Sequence, residues 1–141
     1  MVKYSLKDGY NEMDFDKVTK MLKEVWWSPG IKKDEVIHGA QNSAFLAGAF
    51  TPDNEQIGYS RVISDKTRFA YIMDVVVDER YRKQGVGQGM IRFILIHHEL
   101  RDVYQWLLLT KDAHEVYSKV GFNIIDNPGN WLEIRKERPS R

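Results

Sequence analysis

The stretch Val75–Met90 reads VVVDERYRKQGVGQGM and joins the end of an apolar strand to the start of an apolar helix. Between the two lies a polar turn, followed by a loop that contains Gly85, Gly87 and Gly89. Glycines let a backbone approach a ligand closely, and the first amides of a helix have no partner within the helix. Such a loop attracts an anion to the start of the helix. The stretch therefore predicts a binding site for a phosphate group.

The glycine spacing narrows the class of phosphate ligand. A Walker A loop requires Gly-Lys-Ser or Gly-Lys-Thr after four intervening residues, and no such string follows Gly85 or Gly87. A dinucleotide fingerprint needs its third glycine one residue later than Gly89. The pattern that fits is Arg/Gln-x-x-Gly-x-Gly, read here as residues 82–87. This segment resembles the pyrophosphate loop of the GNAT acyl-CoA N-acyltransferase superfamily.

A second segment supports the same resemblance. Residues 110–122 read TKDAHEVYSKVGF, in which a strand end leads into a short helix and a Tyr-x-x-x-Gly-Phe pattern. It is similar to the other recurring segment of the family, in which the helix tyrosine, here Tyr117, points toward the cofactor sulfur. The resemblance implies a single N-acetyltransferase domain over residues 1–141. It also implies an α/β fold with a mixed, mostly antiparallel sheet and helices on both faces.

Composition limits the class of protein. The chain has 141 residues, of which 43% are hydrophobic and 29% charged, as is usual for one globular domain. A formal net charge of +1 disfavours nucleic acid as a partner. The absence of cysteine excludes disulfides, thiolate zinc sites and a cysteine acyl-enzyme. The sequence shows no membrane-length apolar run and no signal peptide, so we expect a cytoplasmic protein without a membrane partner.

Hydrophobic periodicity and turn residues predict the order β-α-α-β-β-β-α-β-α-β-β. The predicted strands are 2–6, 43–50, 56–63, 68–77, 105–110, 123–125 and 131–134. The first predicted helix is capped by Asp14 or Asp16 and ends near Trp27. The other predicted helices are 32–41, the helix that follows Gly87, and 113–120. The three central strands are joined by short turns, which favours an antiparallel meander.

The resemblance assigns most of the cofactor site to the backbone. The loop 82–87 is implied to hold the pyrophosphate of acetyl-CoA through its N–H groups, with positive charge from Arg82 and Lys83. The strand 74–77 is implied to diverge from its neighbour so that pantetheine pairs with it, and Val75 N–H is the implied donor to the thioester oxygen. The residues assigned to the cofactor are Val75, Val76, Val77, Arg82, Lys83, Gln84, Gly85, Val86, Gly87, Gln88 and Tyr117.

Proton transfer requires an acid and a base, and the sequence offers candidates for both. The resemblance implies that Tyr117 is the general acid, a role that suits a phenol because its pKa of about 10 keeps it protonated at neutral pH. Without the family pattern, an aromatic packing residue on a short helix would be the simpler interpretation. Some family members carry a glutamate three residues before Asp74, where this chain has Tyr71. Asp74 lies in an otherwise apolar strand and is expected to take the amine proton through a water, to bind a cationic substrate or to accept from backbone N–H groups. Glu79 is a solvent-side alternative.

The acceptor pocket is expected between the first two helices and the closing strands. Its candidate residues are Trp26, Trp27, Tyr59, Arg61, Asp74 and Trp131. Arg61 is expected to pair with Asp74 or to bind a substrate carboxylate. The four histidines lack metal-ligand spacing, so no metal is expected.

The resulting hypothesis is acetyl transfer to the primary amine of a small molecule by direct attack in a ternary complex. The alternatives are a protein or aminoacyl-tRNA amine as acceptor, or a non-catalytic module that senses acyl-CoA. An open sheet edge is compatible with a homodimer.

Overall fold

The computed structural model describes all residues from Met1 to Arg141. Its strands are β1 (Ser5–Asp8), β2 (Phe45–Phe50), β3 (Gln56–Ser64), β4 (Phe69–Val77) and β5 (Gln105–Leu108). Its α-helices are α1 (Phe15–Lys23), α2 (Lys33–Gln41), α3 (Val86–Leu95) and α4 (His114–Ser118). None of them combines the length and apolar character that a membrane crossing requires.

The five strands form one sheet in the order β1-β2-β3-β4-β5. The first four pair antiparallel, whereas β5 runs parallel to β4. The turn between β3 and β4 is closed by Asp65, whose carboxylate accepts from the backbone N–H groups of Thr67, Arg68 and Phe69. The predicted mixed, mostly antiparallel sheet and its central meander are therefore confirmed.

Helices cover both faces of the sheet, as predicted. On one face α1 and α2 pack on apolar residues such as Leu46 and Tyr59. On the other face Val62 and Ile72 pack against α3 through Ile91. Side chains alternate along each strand, so each strand contributes apolar residues to both faces and the sheet is buried between the two helical layers.

Helix α1 begins where the sequence predicts and ends earlier. Asp14 is its N-cap and accepts from Lys17 N at 3.2 Å. The predicted end near Trp27 is wrong, because the helix stops at Lys23. The following turn is held in place by Ser28, whose buried hydroxyl donates to the carbonyl of Leu22 at 2.7 Å. Trp27 consequently lies in the α1–α2 loop.

The two predicted closing strands are absent. Residues 123–127 and 131–141 have no regular secondary structure, and a 3-10 turn at Pro128–Asn130 separates them. Ile124, Leu132 and Ile134 are 79%, 96% and 94% exposed. The alternating pattern has strand propensity, but no neighbouring strand pairs with it and no layer covers it. The first strand also starts later than predicted, at Ser5, where pairing with Phe50 begins.

An ion-pair network joins α1 to the residues just before β3 and just after β4. Lys17 Nζ lies 2.8 Å from Asp78 and 3.0 Å from Glu55, and Arg80 also bonds both carboxylates. Hydrogen bonds from Arg80 and Lys17 outweigh partial burial and hold the pKa of Asp78 well below its usual range. Only 10% of the Asp78 side chain is exposed. The network thus fixes the chain just ahead of the glycine loop.

We expect Asp78→Asn to lower the free energy of unfolding at pH 7 by about 2 kcal/mol, because Lys17 and Arg80 lose a charged acceptor. A lowered folded-state pKa contributes stability above the unfolded pKa of about 4 and loses it as the pH falls. Urea unfolding of variant and wild type should therefore differ more at pH 7 than at pH 2, because the pKa of Asp78 in the folded protein lies well below the unfolded value of about 4. Asp53→Asn, at an exposed turn residue, is the control. An equal difference at both pH values would contradict the role of this carboxylate.

Candidate active site

Strands β4 and β5 part halfway along β4. Their parallel pairing runs from Phe69–Gln105 to Ile72–Leu108 and then stops. Residues 73–77 of β4 have β3 on one side and no strand on the other. The divergence that the resemblance implies for residues 74–77 is therefore present. Because the gap lies between two strands, side chains from both faces of the sheet border it.

A β-bulge lies in β4 at the start of this gap. The pairing with β3 shifts by one residue, so Asp74 and Val75 together stand opposite Ser60. Asp74 has a φ of 56°, a left-handed conformation that aspartate tolerates better than most residues. Regular alternation would turn Asp74 toward α3, as it does Ile72. The bulge turns it toward the α1–α2 face instead, and Val75 packs on the α3 side.

Asp74 is held by two side chains on that face. Its Oδ2 accepts from Arg61 Nε at 2.7 Å, and its Oδ1 accepts from Trp27 Nε1 at 3.1 Å. The exposed fractions of the Asp74 and Arg61 side chains are 13% and 18%. Arg61 thus takes the first of its two expected roles, pairing with Asp74. The expectation that Asp74 accepts from backbone N–H groups is wrong, since its partners are side chains.

Tyr59 lies next to this pair on β3. It is 1% exposed, and its hydroxyl makes no hydrogen bond. Burial raises the pKa of Tyr59 far above its usual range, so the phenol is neutral. A buried hydroxyl without a hydrogen-bond partner costs free energy, so Tyr59 places an unsatisfied polar group beside the Asp74–Arg61 ion pair.

The aromatic candidates divide into two groups. Trp26 is 52% exposed, packs edge-on against Trp27 with ring centroids 5.7 Å apart, and carries Lys111 Nζ above its ring at 5.4 Å. Trp27 contacts both Trp26 and Asp74, so this aromatic group lies beside the Asp74 carboxylate. Trp131 is not brought to this group by any ring contact or side-chain hydrogen bond, since the closing strand predicted to carry it does not form.

The glycine loop opens α3 as the sequence predicts. Gly85 is the N-cap residue with a φ of 82°, and the amides of Val86, Gly87 and Gln88 donate to no acceptor in the chain. A side chain at Gly85 would meet no atom within 4 Å, and one at Gly87 would meet only Val77, at 3.8 Å. The space beside both glycines is therefore open. These residues fit a diphosphate.

Two polar side chains of the loop have hydrogen-bond partners within the chain. Arg82 Nε donates to the carbonyl of Val77 at 3.0 Å, which ties the loop to the end of β4. Gln84 Oε1 accepts from Val2 N at 2.7 Å. A cavity of about 470 Å³ adjoins this loop and includes Val77, Arg82 and Lys17 in its lining. The Lys83 side chain is exposed and bonds no residue of the chain, so the loop presents its positive charge as well as its backbone to solvent.

Tyr117 lies on the opposite face from Asp74. It is on α4 and packs with Phe122 and Val75 against the α3-side core. Burial raises the pKa of Tyr117, so it stays protonated through neutral pH. Gln88 Nε2 donates to the carbonyl of Val116 at 3.3 Å and links the start of α3 to α4. The gap between β4 and β5 thus has a carboxylate on one face and a protonated phenol on the other.

Sequence reasoning missed two features of this site. The bulge was not predicted, although an aspartate within an apolar, β-branched run is a signal for a left-handed position. Ser43, which accepts from Arg61 Nη1 at 3.4 Å, was not a candidate. No local pattern marks it, because the contact joins the end of α2 to β3.

Comparisons with known proteins agree with this geometry. A family model of the acetyltransferase (GNAT) domain matches residues 42–124. A GNAT-family protein from Xanthomonas campestris pv. campestris is 25% identical with a TM-score of 0.86, and the match covers 96% of this chain and 95% of that one. No curated protein matches the chain.

Two more distant structures share the fold. A GNAT-family acetyltransferase from Streptococcus pneumoniae is 19% identical with a TM-score of 0.72, covering 97% of this chain and 100% of that one. Glucosamine-6-phosphate N-acetyltransferase from Arabidopsis thaliana is 14% identical with a TM-score of 0.67, covering 96% and 98%. The family model spans more than half of the chain, from the end of α2 through α4. The chain therefore belongs to the GNAT acetyltransferase family.

Proposed function

We propose that this protein transfers an acetyl group from acetyl-CoA to the primary amine of a small molecule, by direct attack in a ternary complex. The observation that carries the proposal is the gap between β4 and β5. Unpaired amides lie at its end, Asp74 borders it from one face, and Tyr117 borders it from the other.

The loop and the free edge of β4 would hold acetyl-CoA. The amides of Val86, Gly87 and Gln88 would donate to its diphosphate, strengthened by the dipole of α3. The edge of residues 73–77 offers an extended partner to the pantetheine amides. When bound, acetyl-CoA supplies a thioester carbon that an amine attacks. Val75 N–H is the proposed donor to the thioester oxygen.

The two proton-transfer groups would act from opposite faces. Tyr117 is protonated at neutral pH and would donate its proton to the departing thiolate. Asp74 keeps lone pairs beyond those used by Arg61 and Trp27, and these would receive the amine proton through a water. The chain has no cysteine to carry the acetyl group.

A small acceptor suits the surroundings of Asp74. The carboxylate is only 13% exposed and lies under the tryptophans of the α1–α2 loop. A long peptide would need an open groove, which these side chains narrow. The Arabidopsis structure of the same fold is named for an amino sugar phosphate, so the fold serves a small amine in that protein.

Gly87→Asp tests the diphosphate site. We expect acetyl-CoA to raise the melting temperature of the wild type and to leave that of Gly87→Asp unchanged, because the new carboxylate repels the diphosphate at the helix start. Gly87 is preferable to Gly85 because it has no positive φ and a side chain there meets only Val77. Gly129→Asp, at an open surface position, should keep the thermal shift. Retained stabilisation in Gly87→Asp would contradict the site.

Tyr117→Phe tests the general acid. It keeps the ring packing on Phe122 and removes only the hydroxyl, so we expect kcat to fall about 100-fold with little change in acetyl-CoA affinity. Thiol release over a panel of small amines and binding calorimetry would measure the two quantities. Tyr104→Phe, which removes an exposed hydroxyl bonded to Arg68, is the matched control. An unchanged kcat would remove Tyr117 from the mechanism. If the wild type reacts with no amine of the panel, a module that senses acyl-CoA is favoured instead.

Asp74→Asn tests the amine side. Asparagine tolerates the left-handed φ and still accepts from Trp27, but it cannot take a proton or pair with the Arg61 charge. We expect kcat/KM for the amine to fall about 100-fold while acetyl-CoA affinity is kept. The measurement is thiol release with the best amine of the panel, with Asp53→Asn as the control. Equal loss of cofactor affinity would show that Asp74 acts on the fold and not on the acceptor.

A further inference from the structure

The residues ahead of β1 run along the loop that opens α3. Val2 N donates to Gln84 Oε1 at 2.7 Å, and the Tyr4 hydroxyl donates to the carbonyl of Gly85 at 3.5 Å. The Gly85 carbonyl also accepts the first hydrogen bond of α3, from Gly89 N at 2.9 Å. Two consecutive loop residues are therefore held by a segment about eighty positions away in the chain.

Tyr4 also explains a glycine that no phosphate motif requires. A Cβ at Gly89 would lie 2.2 Å from Tyr4 Oη and 3.2 Å from Cζ. Glycine inside a helix is less favourable than alanine, so its presence needs a reason. The reason is space, because the hydroxyl occupies the volume that a side chain at Gly89 would fill.

Packing fixes the tyrosine in this position. Val2, Tyr4 and Leu6 pack against a buried cluster that includes Val86 and Met90 of α3. The strand β1 begins directly after Tyr4 and pairs with β2, so the segment is anchored to the sheet as well. The ring cannot move away from Gly89 without disturbing one of these attachments.

We propose that Tyr4 is a positioning residue for the anion-binding loop. Its hydroxyl, seated against Gly89 and donating to Gly85, holds the left-handed turn at Gly85 and so keeps the first amides of α3 aimed at one point. A loop that is already ordered loses less entropy when a ligand binds. The ligand identity rests on the proposed function; the ordering of the loop does not.

Tyr4→Phe tests the proposal in the protein without ligand. The measurement is loop exchange, the hydrogen exchange rate of the residue 89 amide, which donates to the Gly85 carbonyl. This rate should become several-fold faster, because the turn at Gly85 loses a tether. Exchange in α1 should be unchanged, which excludes a general loss of stability. Tyr104→Phe is the control and should leave the loop as in the wild type. Unchanged loop exchange in Tyr4→Phe would overturn the proposal.

Acetyl-CoA supplies the second readout. Tyr4→Phe should weaken its binding about threefold to tenfold, the range for one hydrogen bond. The KM for acetyl-CoA should rise by the same factor while kcat stays within about twofold, because the Tyr4 hydroxyl contacts the start of α3 and neither group proposed for proton transfer. A fall in kcat at constant KM would overturn a positioning role.

Gly89→Ala closes the test. Its methyl group would displace the Tyr4 hydroxyl, so we expect it to accelerate loop exchange as Tyr4→Phe does. The two changes together should have less effect than the sum of each alone, since the second finds the contact already gone. Additive effects would overturn the steric link. If the wild type binds no acetyl-CoA, the proposed function fails, while loop exchange in these variants still decides the role of Tyr4.

Discussion

The site depends on the fact that β3 pairs with β4 as far as Val77, apart from the bulge, whereas β5 pairs with β4 only as far as Ile72. Backbone groups beyond that point lack the partner that a sheet normally supplies, and a ligand with amides of its own can take that place. The same opening connects the two faces of the sheet. Without it, the carboxylate of Asp74 and the phenol of Tyr117 would be separated by a closed layer of backbone.

The bulge at Asp74 and Val75 decides which side chain faces which layer. It brings a carboxylate out of the α3-side core and into contact with Arg61 and with the α1–α2 loop through Trp27. The position of that loop over the site is therefore coupled to the conformation of one strand residue. Ser28 reinforces the coupling, because its buried hydroxyl fixes the turn that carries Trp27.

Local signals predicted much of this structure and long-range pairing accounts for the rest. The Asp14 cap and the glycine loop were predictable because each depends on residues adjacent in sequence. The prediction of strands at 123–125 and 131–134 is wrong, because a segment with strand propensity forms no strand without a neighbouring strand to pair with. The bulge and the Tyr4 contact depend on residues far apart in the chain, which no local pattern reports. Roles for Tyr117 and Asp74 rest on family resemblance together with their placement.

The extra residue in β4 determines the effect of shortening that strand by one residue. Val76 is 3% exposed and lies in the core with Tyr59, whereas Val77 packs on the α3 side. Because Asp74 is the extra residue of the bulge, deleting it would restore a regular ladder and leave every later side chain of β4 on its present face. The packing of Val76 and Val77 would therefore survive such a deletion, and the loss would be confined to the carboxylate and its bonds with Arg61 and Trp27.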